Sequence, residues 1–333
     1  MVRILPGGDE RALREAAGLL RRGGLVAFPT ETVYGLGALA RDPAAVARVF
    51  AAKGRPADHP LIVHLAEAGW MGRWARTVPE PAWRLAERFW PGPLTLVLPR
   101  AEGVPDAVTG GQDTVGLRVP AHRIARRLVA AVGDGVAAPS ANRFGRISPT
   151  RAEDVAAELG EAVDAIVDGG PCAVGVESTI LDVSGARPRL LRPGGIPAEA
   201  LAEVLGEMPA PAGAAAPRSP GRLAAHYAPR TPLELVPGAE LAARAAALAA
   251  RGARVAVLTH GAERPAAAAV VERMPAQAEG YARALYARLR GLDAGGFDRI
   301  LVAEPPRGGL WEAVADRLRR AAAGSGAEEE ERT

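Results

Sequence analysis

The chain has 333 residues, 48% hydrophobic, with a net charge of +3 and one cysteine, Cys172. That length suits about two domains, and the lone cysteine excludes both an internal disulfide and a cysteine-rich zinc site. A mild positive charge allows anionic small molecules without arguing for tight nucleic-acid binding. No apolar run reaches 18 residues, and the N-terminus lacks a charged-then-apolar leader, so a cytoplasmic protein without membrane contact is expected.

In chain order, 9–22 reads as a helix with Asp9 as N-cap, and 24–28 as a short buried strand. Asp42-Pro43 opens a helix that runs to Lys53: an Asp cap followed by Pro in the first turn. Strands follow at 61–65, 94–98 and 115–119. Trp70, Trp74, Trp83 and Trp90 recur at helical spacing and read as core. Thr150-x-x-Glu153 is a capping box before another helix, and strands at 165–168, 179–183 and 189–192 complete this half. Strands and helices mix without strict alternation, which predicts a large twisted mixed sheet surrounded by helices over 1–205. Residues 206–231 are rich in Ala, Pro and Gly and read as an irregular linker. From 232 to 323, strands at 233–236, 255–258 and 300–303 alternate with helices at 239–251, 276–290 and 310–323. That pattern predicts a small Rossmann-like doubly wound α/β domain. The tail, 324–333, carries four consecutive Glu and reads as disordered.

The chemistry-bearing residues are unusual for what they are not. There is one lysine, Lys53, among 41 basic residues, and one asparagine, Asn142. Both codons are A/T-rich, and an Arg-, Ala- and Gly-rich composition marks a bias against them. A lysine or asparagine that survives such drift is a candidate for work that Arg, Asp or Ser cannot do. Thr30, Thr32, Tyr34, Lys53, Arg55, His64, Thr114, Arg118, Ser140, Asn142, Ser148, Ser178 and Arg192 all sit in strand-end or loop segments. Basic groups with neutral hydroxyls point to an anionic, phosphorylated ligand. No phosphate loop of the Gly-x-x-x-x-Gly-Lys type, no Gly-x-Gly-x-x-Gly after a strand, no Gly-x-Ser-x-Gly elbow and no His-Glu-x-x-His is present. From the residues alone, His64 reads equally as a strand histidine, and Arg118 and Arg192 need an anion that is either a ligand or a carboxylate of the protein. Cys172 reads as a loop filler rather than a nucleophile.

Seven segments stand in a fixed order: 29–36 (Pro-Thr-Glu-Thr-Val-Tyr-Gly-Leu), 53–56 (Lys-Gly-Arg-Pro), 91–95 (Pro-Gly-Pro-Leu-Thr), 116–120 (Gly-Leu-Arg-Val-Pro), 139–142 (Pro-Ser-Ala-Asn), 177–180 (Glu-Ser-Thr-Ile) and 192–194 (Arg-Pro-Gly). Over about residues 10–205 this closely resembles the YrdC-type threonylcarbamoyl-AMP synthase family. Ser219-Pro220-Gly221 followed by His226-Tyr227-Ala228-Pro229 resembles the linker of its longer, two-domain members.

The resemblance implies a reaction of L-threonine, bicarbonate or CO2, and ATP with Mg2+, giving threonylcarbamoyl-AMP and pyrophosphate. The product would pass to the threonylcarbamoyl transferase machinery that modifies tRNA, with no stable nucleic-acid complex of this chain itself. By motif, Lys53 and Arg55 would be catalytic, neutralising phosphate oxygens. His59, Thr114, Ser140, Asn142, Ser148, Arg192 and Tyr227 would hold the nucleotide. Thr32, His64, Arg118, Ala138 and Ser178 would hold threonine, Arg118 through its carboxylate. His59 departs from the Asn or Lys that relatives often carry there, which leaves a backbone contact as the one that survives. Residues 219–229 would close over the site as a lid. The rival readings are a non-catalytic RNA-binding relative and the carbamoyl-transfer enzyme of hydrogenase maturation; the latter's zinc-finger cysteine pairs are missing.

Overall fold

The computed structural model describes residues 2–213 and 216–325, in two compact units. Unit 1 comprises residues up to Phe144 and Ser148–Arg222; unit 2 comprises Gly145–Ile147 and the chain from Leu223 onward. Most of the acidic tail, 326–333, lies outside the described residues.

The helices of unit 1 are α1 (Glu10–Arg21), α2 (Pro43–Lys53), α3 (Glu80–Phe89), α4 (Asp106–Thr109), α5 (Arg123–Val132), α6 (Ala152–Leu159) and α7 (Ala198–Leu205). α1 starts where the Asp9 carboxylate accepts the Arg11 N–H at 2.8 Å, and it buries Leu13, Ala16, Ala17 and Leu20 along one face. α2 is capped by Asp42, which accepts from Ala44 and Ala45 at 2.9 and 3.2 Å. It stops at Gly54, whose φ of 61° is the left-handed conformation glycine adopts without Cβ strain. That stop leaves Lys53 on the last turn and Arg55 just beyond it. The acid that caps α6 is Asp154 rather than Glu153: its carboxylate accepts the N–H groups of Thr150 and Arg151 at 2.9 and 3.1 Å.

The strands of unit 1 are β1 (Ile4–Pro6), β2 (Val26–Phe28), β3 (Gly35–Leu39), β4 (Ile62–His64), β5 (Leu94–Pro99), β6 (Thr114–Arg118), β7 (Val136–Ala137), β8 (Ala165–Asp168), β9 (Thr179–Asp182), β10 (Arg189–Arg192) and β11 (Ala210–Pro211). They form one twisted mixed sheet in the order β1-β8-β2-β3-β7-β4-β6-β5-β9-β10-β11. β4 and β6 run parallel with His64 opposite Arg118; β5 and β9 are parallel, and β9 and β10 antiparallel. α1 and α5 cover one core, around Leu13, Leu20, Phe28 and Leu128, while Trp74 and Trp90 anchor the larger one. The tryptophan expectation holds for those two and for half-buried Trp70, which packs against both cores. Trp83 is 43% exposed, because the stripe α3 buries is Ala82, Leu85 and Ala86 and Trp83 falls beside it.

The Ala/Pro-rich stretch is more ordered than its composition suggests. β11 pairs with β10, and Ala212 and Ala216 pack on Ile62, Val97, Ile180 and Leu191 of the open sheet face. Residues up to Arg222 belong to unit 1 and those from Leu223 to unit 2, so the expected lid segment 219–229 divides between them.

Unit 2 holds a parallel sheet in the order β12-β15-β13-β14, from β12 (Leu233–Val236), β13 (Val255–Thr259), β14 (Val270–Arg273) and β15 (Arg299–Ala303). Its helices are α8 (Leu241–Ala249), α9 (Ala278–Asp293) and α10 (Trp311–Gly324). Val236, Leu241, Leu248, Val255, Val257 and Leu301 form its core. Among the described residues no helix is long and apolar enough to cross a membrane.

Candidate active site

The last turn of α2 delivers Lys53 into a buried position, 3% exposed. Its ammonium donates to the carbonyl oxygens of Ser140, at 2.6 Å, and of Asn142. The same loop is stitched to the start of β3: Ala141 N–H donates to Tyr34 O at 2.9 Å, and Leu36 N–H to Pro139 O at 2.7 Å. Lys53 thus ties two proposed nucleotide contacts, Ser140 and Asn142, to the end of α2, just before Arg55. Burial, and then the Arg55 guanidinium, hold the Lys53 pKa well below the usual lysine range. Arg55 donates to Pro60 O at 3.1 Å, and its guanidinium lies 5.6 Å from the centre of the Phe144 ring. His59 meets the same ring edge-on at 5.4 Å. Burial and Arg55 lower the His59 pKa. Phe144 therefore gathers Arg55 and His59, a role the sequence reading missed.

A second group lies at the ends of β4 and β6. Arg118, 4% exposed, donates to Glu31 Oε1 at 2.6 Å, to Thr32 Oγ1 at 3.0 Å and to Gly92 O at 3.3 Å. The anion beside this buried guanidinium is thus a carboxylate of the protein. Glu31 had not been singled out, although it is the one acid in its motif and a buried Arg calls for one. Ala138 follows the last residue of β7, with its N–H on Ile62 O at 3.0 Å.

The third group spans β5, β9 and β10. Ser178 Oγ lies 2.8 Å from Thr95 Oγ1, and Arg192 donates to Ser178 O at 2.8 Å and to Pro220 O at 3.2 Å. Ser148 Oγ donates to Glu177 Oε1 at 2.6 Å. Thr114 is half-buried and lines a small cavity of about 20 Å3 with Ile62, Thr95, Ser219 and Pro220. Thr95 and Glu177 are further residues the sequence reading passed over. Both stand inside quoted motifs, where a hydroxyl or acid at a strand end was the available signal. Tyr227 lies in unit 2, 1% exposed, with its ring stacked on Tyr286 at 6.0 Å and edge-on to His226 at 4.1 Å.

His64 is 3% exposed, edge-on to Phe28 at 5.9 Å, and its Nδ1 has no hydrogen-bond partner among the described residues. Burial, and then Arg118, push its pKa down from 6.5 to about 3. Between those two values the unfolded chain binds a proton that the folded chain refuses, so stability is lost as pH falls through this window. From pH 7 to pH 4 the His64 contribution falls by about 3 kcal/mol. Urea unfolding at both pH values should therefore show a smaller acid loss in His64→Gln than in the unmodified chain. Equal losses would show that His64 does not stay neutral in the fold.

Among the described residues no three His, Cys, Asp or Glu side chains converge where a metal ion could be held. Cys172 is buried, and burial raises its thiol pKa, the reverse of what a thiolate nucleophile needs.

Two family models match. Residues 18–194 match the family described as "Telomere recombination", the Sua5, YciO and YrdC group, and residues 196–323 match "Threonylcarbamoyl-AMP synthase, C-terminal domain". The chain is 45% identical over 324 residues to the threonylcarbamoyl-AMP synthase of Pyrococcus abyssi, covering 94% of each chain. The chain belongs to the Sua5/YrdC family. A second Sua5/YrdC relative, the threonylcarbamoyl-AMP synthase of Bacillus subtilis, is 42% identical over 328 residues, 95% of this chain and 94% of that one. The crystal structure of P. abyssi Sua5 complexed with L-threonine superposes with a TM-score of 0.91 at 42% identity, covering 97% of this chain and 98% of that one. Both units thus have counterparts in one Sua5 chain.

Proposed function

We propose that this enzyme makes threonylcarbamoyl-AMP and pyrophosphate from L-threonine, bicarbonate or CO2, and ATP, for N6-threonylcarbamoyladenosine formation in tRNA. The observation that carries the reading is the match over 97% of the chain to a Sua5 structure bound to L-threonine. The three buried polar groups of unit 1 are consistent with it. The threonine amine attacks the carbon of bicarbonate, forming the N–C bond and expelling water to leave a carbamate. A carbamate oxygen attacks the α-phosphorus, the bond to the β-phosphate oxygen breaks, and pyrophosphate departs. No protein nucleophile takes part, which agrees with the inert setting of Cys172.

Catalysis is then positioning and charge neutralisation. Lys53 and Arg55 face the phosphates; His59, Thr114, Ser140, Asn142, Ser148 and Arg192 hold the nucleotide, joined by Tyr227 on the strength of the resemblance. Thr32, His64, Arg118, Ala138 and Ser178 hold threonine. Mg2+ bound with the nucleotide would supply further positive charge at the phosphates, beside Lys53 and Arg55. The product is consumed by a threonylcarbamoyl transferase acting on tRNA, which places the enzyme in the cytoplasm.

The test is incubation of the purified chain with ATP, bicarbonate and labelled threonine. Pyrophosphate should appear only when threonine and bicarbonate are both present, with the label recovered in an adenylate. Formation of ADP and phosphate instead would rule the reading out.

A further inference from the structure

The hydrogen bonds around Arg118 have a direction that can be read off one by one. Thr30 Oγ1 lies 2.6 Å from Val33 O, and a carbonyl cannot donate, so the Thr30 hydroxyl proton goes there. Thr30 Oγ1 is also 2.8 Å from Thr32 Oγ1. With its only proton spent, Thr30 Oγ1 can only accept: it takes the Thr32 and Val33 N–H groups at 3.1 and 3.2 Å, and the Thr32 hydroxyl proton is the one shared between the two side chains. Arg118 Nη1 donates to Thr32 Oγ1 at 3.0 Å. One lone pair on Thr32 therefore remains, and it can only accept.

Glu31, 7% exposed, fixes the guanidinium end of this chain. Its Oε1 takes the Arg118 Nη2 proton at 2.6 Å, and its Oε2 takes the Ala121 N–H at 3.0 Å. Gly92 O receives the Nε proton at 3.3 Å. Three acceptors on three nitrogens hold the guanidinium plane in one orientation, and the remaining protons on its two terminal nitrogens are available to a ligand carboxylate.

The geometry points to Glu31 as the positioning residue that orients Arg118, and to Thr32, whose proton is turned toward Thr30, as a hydrogen-bond acceptor for the amino group of the amino-acid substrate. This rests on the threonine-binding reading above. An acceptor at the amine takes one N–H and leaves the nitrogen lone pair free to attack carbon. The opposite polarity, a Thr32 hydroxyl donating, would engage that lone pair and block it.

The test uses the full chain. Glu31→Gln keeps the side-chain size but removes the charge, and its amide cannot accept from both Arg118 and Ala121 N–H. The KM for threonine should rise tenfold or more while the KM for ATP stays within twofold. A purely structural role would lower the active fraction, and so kcat, without that split. Thr32→Val leaves the Glu31–Arg118 pair intact and removes the acceptor. It should weaken L-threonine about tenfold and leave inhibition by 3-hydroxybutanoate, which lacks the amine, within twofold.

Equal changes in both KM values for Glu31→Gln, or equal weakening of both ligands by Thr32→Val, would overturn the proposal. Should Glu31→Gln not fold, Glu31→Asp keeps the charge but shortens the reach, and its threonine KM must rise by a smaller factor. An unmodified chain that forms adenylate without threonine would instead defeat the functional reading itself.

Discussion

Lys53→Ala lowers turnover about a hundredfold, the equivalent of roughly 2.7 kcal/mol in the transition state. On the proposed reading the ammonium faces the phosphates, and in the structure it also anchors the loop that carries Ser140 and Asn142. Its removal loses a positive charge and takes a charged donor from the Ser140 and Asn142 carbonyls. A hydrogen bond to a charged group contributes about 1.5–3 kcal/mol, so stability falls alongside activity. Loss of activity with no loss of stability, as a residue touching only the phosphates would give, is therefore not the expected outcome. Lys53→Arg does not restore turnover. The site is 3% exposed and already flanked by Arg55, and a planar guanidinium cannot replace a compact ammonium between two carbonyls. Steady-state kinetics with saturating threonine, paired with thermal unfolding, reads both effects. Full turnover in the Arg variant would remove Lys53 from the catalytic machinery.

Gly194→Ala destabilises the chain by about 3 kcal/mol and raises the KM for threonine. A Cβ at Gly194 would stand 2.3 Å from Ser178 C and Thr179 N and 2.5 Å from Glu177 O. All three are backbone atoms, so no side chain can swing aside, and either strand β9 or the turn after β10 must move. Movement there displaces Ser178, to which Arg192 is bonded at 2.8 Å. Gly54→Ala is the comparison that separates space from backbone conformation. Nothing lies within 4 Å of its Cβ position, so its cost is the left-handed φ of 61° alone, about 1 kcal/mol. Urea unfolding of both variants measures the difference. A Gly194→Ala chain within 1 kcal/mol of the unmodified one would show that this turn yields more easily than its contacts imply.

What the sequence alone determined is what local physics decides. Asp9 and Asp42-Pro43 place the starts of α1 and α2 within a residue, because a cap is a contact between a side chain and the next turn. The apolar runs at 94–98, 233–236, 255–258 and 300–303 are strands because only a pleated, buried segment hides them. The ordered motifs hold Lys53, Arg118, Ser178 and Arg192, around which the three polar groups of unit 1 are built, since each motif pairs a turn former with a polar group. β3 and β7 were not legible: Gly-Leu-Gly-Ala-Leu has no alternation, and two residues of Val-Ala carry no period. Order in the Ala/Pro-rich stretch also escaped composition, because its alanines gain stability only from the sheet face they cover.

The side-chain partners were decided by tertiary structure alone. Lys53 reaches Ser140, and Arg118 reaches Glu31, in each case across 87 residues. Chemistry said that a buried guanidinium needs an anion; whether that anion is a substrate or Glu31 depends on where the fold carries the loop between β2 and β3 relative to the end of β6, and no local propensity encodes it. Strand order is set by summed burial across the whole sheet, and only that sum brings Glu31 and the Thr32 hydroxyl within reach of Arg118.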